Sequence, residues 1–487
     1  MLVRAGPTIY EINTAAWLQR LGRKLGRPLG LGEVPGPEWD ALAALPVDAV
    51  WLMGVWQRSP IGRKLALSMP ELRAAYRCAL PDLRDEDVLG SPYCVRDYVV
   101  DERFGGSAGL AEARQELAGR DVALILDYVP NHVAADHRWV TNCPDYFLTG
   151  SRAELAAHPE EFMEIEGVVF AKGRDPYFEP WQDVLQLNAF SPALRKAAAD
   201  TVIAIGNQCD GVRCDMAMLM TNEVFARTWG ERAGPAPDAD FWPTVIAGCQ
   251  QVHPDFLFMA EVYWDMEWTL QQQGFDLCYD KRLYDRLVRD PADSVRGHLQ
   301  ADGAYQQRLI RFIENHDEPR AALTFGPARA RAAAVVMSTL IGARLYHDGQ
   351  LDGLRAHLPI QLGRGPDEPP DRDLRAFYRR LLRAAADARI EYGDWRLCDC
   401  TGRFGDPHPQ LVAWCWSNPR AFYLVVVNLS AAEAEGWVRL PWRDLAGRTW
   451  GFVDQLSDEC FTCSGDEMAR DGLPVTLDGW GFRFLSV

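Results

Sequence analysis

The sequence predicts an α/β fold, a (β/α)8 TIM barrel with a small inserted domain after the third strand and a C-terminal antiparallel β domain. Three observations carry that expectation. Short apolar or β-branched runs recur at TIYEIN, AVWLMGVW, VALILDYV, DGVRCDMA, FLFMAEVYW, FDLCY, LIRFIENHD and ARLYHDG, with helical patterns between them, an alternation that builds parallel strands joined by crossover helices. Runs such as VALIL and FLFM are apolar without a break, which suits strands buried on both faces. The helical patterns then cease near Gly393, leaving strand-like runs alone.

The elements follow in order. Residues 1–131 hold the first three runs and form the first part of the barrel. From His132 to Phe190 the chain exceeds an ordinary βα loop and is rich in Pro, aromatic and acidic residues, so 132–190 is predicted to be the inserted domain. In SPALRKAAADTVIAIGNQ, Ser191 reads as an N-cap with Pro192 at the first helical position, and this helix resumes the barrel over 191–392. After DLRAFYRRLLRAAADARI come LVAWCWS, FYLVVVNLS, EGWVRLPW and GFRFLSV. Read as strands without helices between them, they predict a β-sandwich over 393–487.

Composition excludes several classes of function. With 51 Lys and Arg against 68 Asp and Glu, the formal net charge is −17, and basic clusters go no further than pieces such as Arg379-Arg380, which disfavours nucleic acid as a partner. Nowhere do about eighteen apolar residues run uninterrupted, and MLVRAGPTIYEINTAAW has no long apolar stretch. Neither a membrane partner nor an export signal is therefore expected, and the compartment predicted is the cytoplasm. The 12 cysteines are scattered, with Cys94, Cys209, Cys214, Cys278 and Cys415 inside strand-like runs, as buried free thiols would be. Cys398/Cys400 has poor spacing for zinc even if Cys460/Cys463 were to join it, so no metal is expected there. Nothing in the sequence specifies an oligomeric state.

Chemistry gathers at the ends of the runs. Asp215 closes DGVRCD, Glu261 follows FLFMA and Asp317 closes FIENHD, while Asp127, Asn131 and His132 end the VALILDYVPNH stretch. Glycoside hydrolysis requires a carboxylate nucleophile and a second carboxyl group of raised pKa as acid. Arg213 precedes Asp215 by two residues, so on an extended strand both point to one side, and the guanidinium would hold the carboxylate ionised. A merely structural ion pair would have the same pattern. Glu261 lies between apolar FLFMA and aromatic Tyr263-Trp264, surroundings that penalise its charge and raise its pKa toward acid duty; a buried glutamate satisfied by a neighbouring donor is the alternative. His316 and Asp317 could grip adjacent sugar hydroxyls, or Asp317 could cap a helix beginning in EPRAALTF. His132 alone reads equally as a structural histidine.

As a set, these residues resemble the motifs of the α-amylase superfamily, glycoside hydrolase family 13, over nearly the whole chain. DYVPNHV resembles the first conserved region, GVRCDMAML the second, FMAEVYW the third and FIENHD the fourth. SPYCVRDYVVDERFGG resembles the segment that supplies a tyrosine beneath the sugar ring. The resemblance implies that Asp215 is the nucleophile, Glu261 the acid/base and Asp317 the residue that orients the ring hydroxyls, with Tyr93, His132, Arg213 and His316 lining the subsite of the cleaved sugar. It implies a retaining α-glycosidase acting on α-linked oligosaccharides or small glucosides with no cofactor required. A transglycosylase or sugar phosphorylase would use the same covalent intermediate; a non-catalytic carbohydrate-binding or scaffold barrel would lack a carboxylate, and all three are present.

The departures from the family pattern set further expectations. Many true α-amylases carry Lys-His three and four residues after the nucleophile, where this chain has Met218 and Leu219, so short glucosides rather than starch are expected. In VLQLN, Gln186 occupies the place of a usual acid. Of the family's calcium site only Asn131 remains visible, with Asp183 close to Gln186, and since hard cations want several oxygen ligands, no obligatory calcium is expected. Met216 after the nucleophile leaves linkage preference open.

Overall fold

The computed structural model describes residues 6–388, 390, 393–402, 405–418 and 421–487. Eight parallel strands close into a barrel: β1 (Thr8–Asn13), β2 (Ala49–Met53), β3 (Ala123–Tyr128), β4 (Gly211–Cys214), β5 (Leu257–Ala260), β6 (Leu277–Tyr279), β7 (Leu309–Arg311) and β8 (Ala343–His347). Neighbours in sequence are neighbours in the sheet. The chain forms two compact units, Ile9–Tyr279 with Ala356–Asp367, and Asp280–Arg355 with Glu368–Val487.

Every residue of β1, β2, β4 and β5 is buried, as strands covered on both faces must be. Arg213 of β4 is in register with Asp127 of β3 and with Met259 of β5, so the residues that follow these three strands emerge side by side. AVWLMGVW is not one strand. It breaks at Gly54, whose φ of +80° is left-handed and where an added Cβ would lie 2.8 Å from Pro92; only glycine takes that turn freely. Trp56–Arg58 beyond it pairs antiparallel with Val95–Val100 instead.

Between β3 and the next long helix, His132–Ala134 pairs antiparallel with Val184–Gln186, and Val168–Ala171 lies between Thr149–Gly150 and Phe162–Ile165. These short strands share a small core that includes Val133, Phe147, Phe170, Leu185 and Leu187. The helix Pro192–Gly206 begins as its sequence predicts, with the Ser191 hydroxyl accepting from the Leu194 amide at 3.3 Å, one of the orphan donors that a helix start must satisfy.

In the second unit, β7 and β8 are fully buried, and the chain ends in a six-stranded and a three-stranded antiparallel sheet. Their shared core includes Leu411, Leu424, Val438, Trp450, Phe452 and Leu485. Two expectations are corrected here. A short helix, Gly465–Arg470, separates Cys460–Ser464 from Leu473–Leu477, and the strand in EGWVRLPW stops at Val438, ahead of Pro441, which has no N–H to give a ladder. All 12 cysteines are free, and Cys398 and Cys415 are buried in that same core. Among the described residues, no helix is long and apolar enough to cross a membrane.

Candidate active site

β4 ends at Cys214, and the chain then turns sharply. The Asp215 amide donates to the Tyr128 carbonyl at 2.8 Å, and Ala217 donates to the Glu261 carbonyl at 3.0 Å. Met216 between them has a left-handed φ of +43°, a conformation uncommon outside glycine and costly by about 1–3 kcal/mol. The turn aims the Met216 amide at the Glu261 side chain, 2.6 Å from Oε2.

Arg213 is the centre of the arrangement. It is fully buried, donates from Nη1 to Asp215 Oδ1 at 2.7 Å and stands with Nη2 2.9 Å from Glu261 Oε2. Trp51, Tyr93 and Tyr279 present their rings to the guanidinium at 5.3, 5.2 and 5.7 Å. Burial alone would favour the neutral form, but Glu261, the two tyrosines and Asp215 outweigh it and hold the group cationic.

Glu261 does not have the apolar surroundings that its neighbours in sequence suggest. The Tyr263 hydroxyl, 2.8 Å from Oε1, joins the Met216 amide and Arg213 around it. The reason is backbone direction: Tyr263 lies two residues on, and Trp264 and Asp265, at φ +64° and +61°, turn the chain back. Such donors suit a carboxylate, and the Tyr263 hydroxyl can turn to accept a hydrogen bond from a carboxylic acid.

Asp127 is a tie between strand ends. Its carboxylate accepts from Trp51 Nε1 at 3.0 Å and from the Gly54 amide at 2.7 Å, and its carbonyl accepts from Trp56 Nε1 at 2.7 Å. His132 is buried against the Trp181 ring at 5.0 Å, with the Asn131 side-chain amide 3.3 Å from its Nδ1. Burial presses its pKa down to about 4, so the ring is neutral near pH 7.

In the second unit, His316 Nε2 lies 3.1 Å from Asp317 Oδ2. Asp317 is not a helix cap: Asn315 Oδ1 accepts from the amides of Asp317 and Glu318 at 2.9 and 2.8 Å, and the following helix, Ala321–Thr324, starts after Arg320. Buried Glu314 anchors the turn by accepting from Arg320 Nη1 at 2.6 Å and the Ala321 amide at 2.7 Å. Asp317 keeps 40% of its side chain exposed, as a group meeting a ligand requires.

The calcium expectation can be tested on the residues present. Gln186 Nε2 donates to the Asn131 carbonyl at 3.0 Å, to Asn131 Oδ1 at 2.8 Å and to the Leu187 carbonyl at 3.0 Å. An amide N–H2 thus serves the oxygens that a hard cation would need, and these residues do not fit calcium. Among the described residues, no three His, Cys, Asp or Glu side chains gather as metal ligands.

Sequence reasoning missed an aromatic ridge. Tyr177, 59% exposed, meets Trp264 edge-on at 4.9 Å, and Arg227 lies over both rings. The turn that puts Trp264 there depends on two left-handed residues in a row, which no local motif announces.

A parallel α/β barrel with two carboxylates and one arginine gathered after β4 and β5 defines a class in which strand ends carry the chemistry. Residues 38–358 match the family described as alpha amylase, catalytic domain, and the chain belongs to the alpha-amylase family. It is 25% identical over 405 residues to alpha-amylase MalA of Haloarcula japonica, covering 80% of this chain and 51% of the relative. With alpha-amylase 3 of Dictyoglomus thermophilum it shares 20% over 304 residues, 59% of this chain and 58% of that one. The chain thus spans little more than half the length of either relative. The crystal structures of the maltogenic alpha-amylase AmyB from Thermotoga neapolitana and of an alpha-amylase from Lactobacillus plantarum share its fold. Each has a TM-score of 0.70 at 17% identity; the match covers 100% of this chain and 99% and 100% of theirs.

Proposed function

We propose that the protein is a retaining α-glycosidase that hydrolyses α-glucosidic bonds in short oligosaccharides or small glucosides. The observation that carries this reading is the sharing of one buried guanidinium by Asp215 and Glu261. An Asp215 oxygen attacks the anomeric carbon as the bond to the leaving oxygen breaks, and that oxygen takes the proton from Glu261. Glu261, now a carboxylate among its three donors, removes a proton from water, which displaces Asp215 and restores the starting state. The Tyr263 hydroxyl donates to Oε1 whenever Glu261 is a carboxylate, which steadies it once its proton has gone to the leaving oxygen. By the family pattern Asp317 and His316 hold ring hydroxyls, and Tyr93 and His132 line the sugar subsite. No metal takes part.

Met218 and Leu219 are buried where family members that act on starch carry polar groups, which favours short substrates. The free thiols of all 12 cysteines fit a reducing compartment such as the cytoplasm. The test is kinetic. Asp215→Asn is expected to lower turnover of maltotriose on the order of 10³-fold or more while leaving the melting temperature nearly unchanged. Glu261→Gln should lose roughly 10²–10⁴-fold on maltotriose and much less on an α-glucoside whose leaving group needs no proton. Ordinary turnover in either variant would reject the assignment.

A further inference from the structure

A cleft of about 500 Å³ opens in the first unit against the helix Thr14–Leu25, and none of the residues placed in the catalytic arrangement lines it. Its size lies within the range of about 300–1,000 Å³ typical of small-molecule sites. Leu18, Leu29 and Phe104 give it an apolar wall. Arg23, Arg27, Arg103 and Arg364 stand around them.

Four arginines would ordinarily point to an anion. Here each is already matched by a carboxylate: Arg23 with Asp367 at 2.8 Å, Arg27 with Glu33 at 2.5 Å, Arg103 with Asp101 at 2.6 Å and Arg364 with Asp87 at 2.7 Å. The rim is therefore charge-compensated, and bringing in a further anion would set it against four carboxylates as well as four guanidinium groups. What such a rim offers is donors and acceptors in alternation beside an apolar wall. Arg27 spends only Nη1, on Glu33 and on the Pro28 carbonyl, among the described residues.

A second observation points to a ligand that donates. Gln19 lines the cleft, and its Oε1 is buried with no hydrogen-bond partner among the described residues. A buried acceptor left unmade costs about 1–3 kcal/mol, and the broad terminal torsion of a glutamine lets it turn to meet a donor. We propose that this cleft is a second, non-catalytic site for a neutral oligosaccharide: hydroxyls meet the paired arginines and carboxylates, and one hydroxyl donates to Gln19. The ligand class follows from the chemistry of the cleft and does not require the catalytic reading.

Hydrogen–deuterium exchange of the Asp215→Asn protein with maltotriose tests it, with glucose 6-phosphate as the anionic probe. Maltotriose is expected to protect peptides covering 15–29 and 101–104. Gln19→Leu should weaken that protection roughly tenfold in maltotriose concentration and leave peptides around 213–216 and 261 responding as before. Arg27→Ala, at an exposed position, should weaken it too, and serves as the test should Gln19→Leu fail to fold. Protection confined to 213–216 and 261 overturns the cleft and spares the catalytic reading, whereas protection confined to the cleft does the reverse. Protection by glucose 6-phosphate without maltotriose overturns the neutral ligand.

Discussion

Asp215 and Glu261 share the guanidinium of Arg213, one on each terminal nitrogen, at 2.7 and 2.9 Å. All three side chains are nearly excluded from water, so the cation does not merely steady one nucleophile. It keeps Asp215 ionised beside Glu261 in one small volume, and it stabilises Glu261 each time that group gives up its proton.

Removing that cation should therefore cost more than an exposed ion pair would. Arg213→Met is expected to destabilise by roughly 3–5 kcal/mol, the scale for stranding a buried charge, and to abolish turnover. Arg213→Lys should recover only part of both, because a point charge cannot serve two carboxylates in a planar fork. Urea unfolding of the two variants beside the native chain measures this, and equal midpoints for all three would show that the bridge carries no such load.

The retaining mechanism makes a stereochemical prediction. The first sugar released should carry the α configuration at its new reducing end, and the carboxyl groups of Asp215 and Glu261 in a crystal structure should lie roughly 5–5.5 Å apart, against about 6.5–9.5 Å for inversion. Proton NMR of the first minutes of hydrolysis reads the anomer directly. A β product would replace the covalent step with direct attack by water.

Calcium should not affect the native chain, because Gln186 already serves Asn131 and Leu187. A chelator should leave its melting temperature and activity unchanged. Gln186→Glu loses the donor and sets a carboxylate against three acceptor oxygens, so its melting temperature should fall by about 1 °C for each kcal/mol lost in a chain of this length. Added calcium should then raise it again, since the oxygens have become ligands. A native chain that melts earlier with chelator would contradict the amide's role.

Acid should destabilise the fold through His132. Its pKa is pressed from the ordinary 6.5 to about 4 by burial, so between those values the unfolded chain binds a proton that the folded chain does not. By linkage, stability then rises with pH across that window; the contribution is absent above about 6.5 and grows to a loss on the order of 3 kcal/mol by about pH 4. Denaturant midpoints at pH 7, 6 and 5 should fall in sequence, and His132→Asn should flatten that fall. Parallel slopes for native and variant proteins would clear His132.

Substrate length is the last expectation. With Met218 and Leu219 buried in place of polar groups, hydrolysis of maltose-sized substrates should exceed that of soluble starch at equal concentration of bonds. A clear preference for starch would show that contacts elsewhere, the Tyr177–Trp264 ridge among them, supply the binding that those two residues cannot.

The barrel was legible because parallel strands covered on both faces need uninterrupted apolar runs, and each run is written locally in VALIL, FLFM or LIRFI. The pairing of Arg213 with Asp215 was legible for the same reason, since side chains two apart on a strand share a face. What Glu261 meets was not. Its sequence neighbours Tyr263 and Trp264 suggest an apolar setting, yet left-handed turns at Met216, Trp264 and Asp265 deliver an amide and a hydroxyl to it. Gln186 likewise could be read only as a missing acid, because two of its three acceptors are Asn131 oxygens, brought beside it by the antiparallel pair that Gln186 forms with His132. The sequence by itself determined which residues are apolar, and hence which strands form and where their polar ends fall. Only the tertiary structure decided which donors surround each carboxylate, because those contacts depend on backbone direction and register between segments distant in the chain, and neither is encoded in any single run.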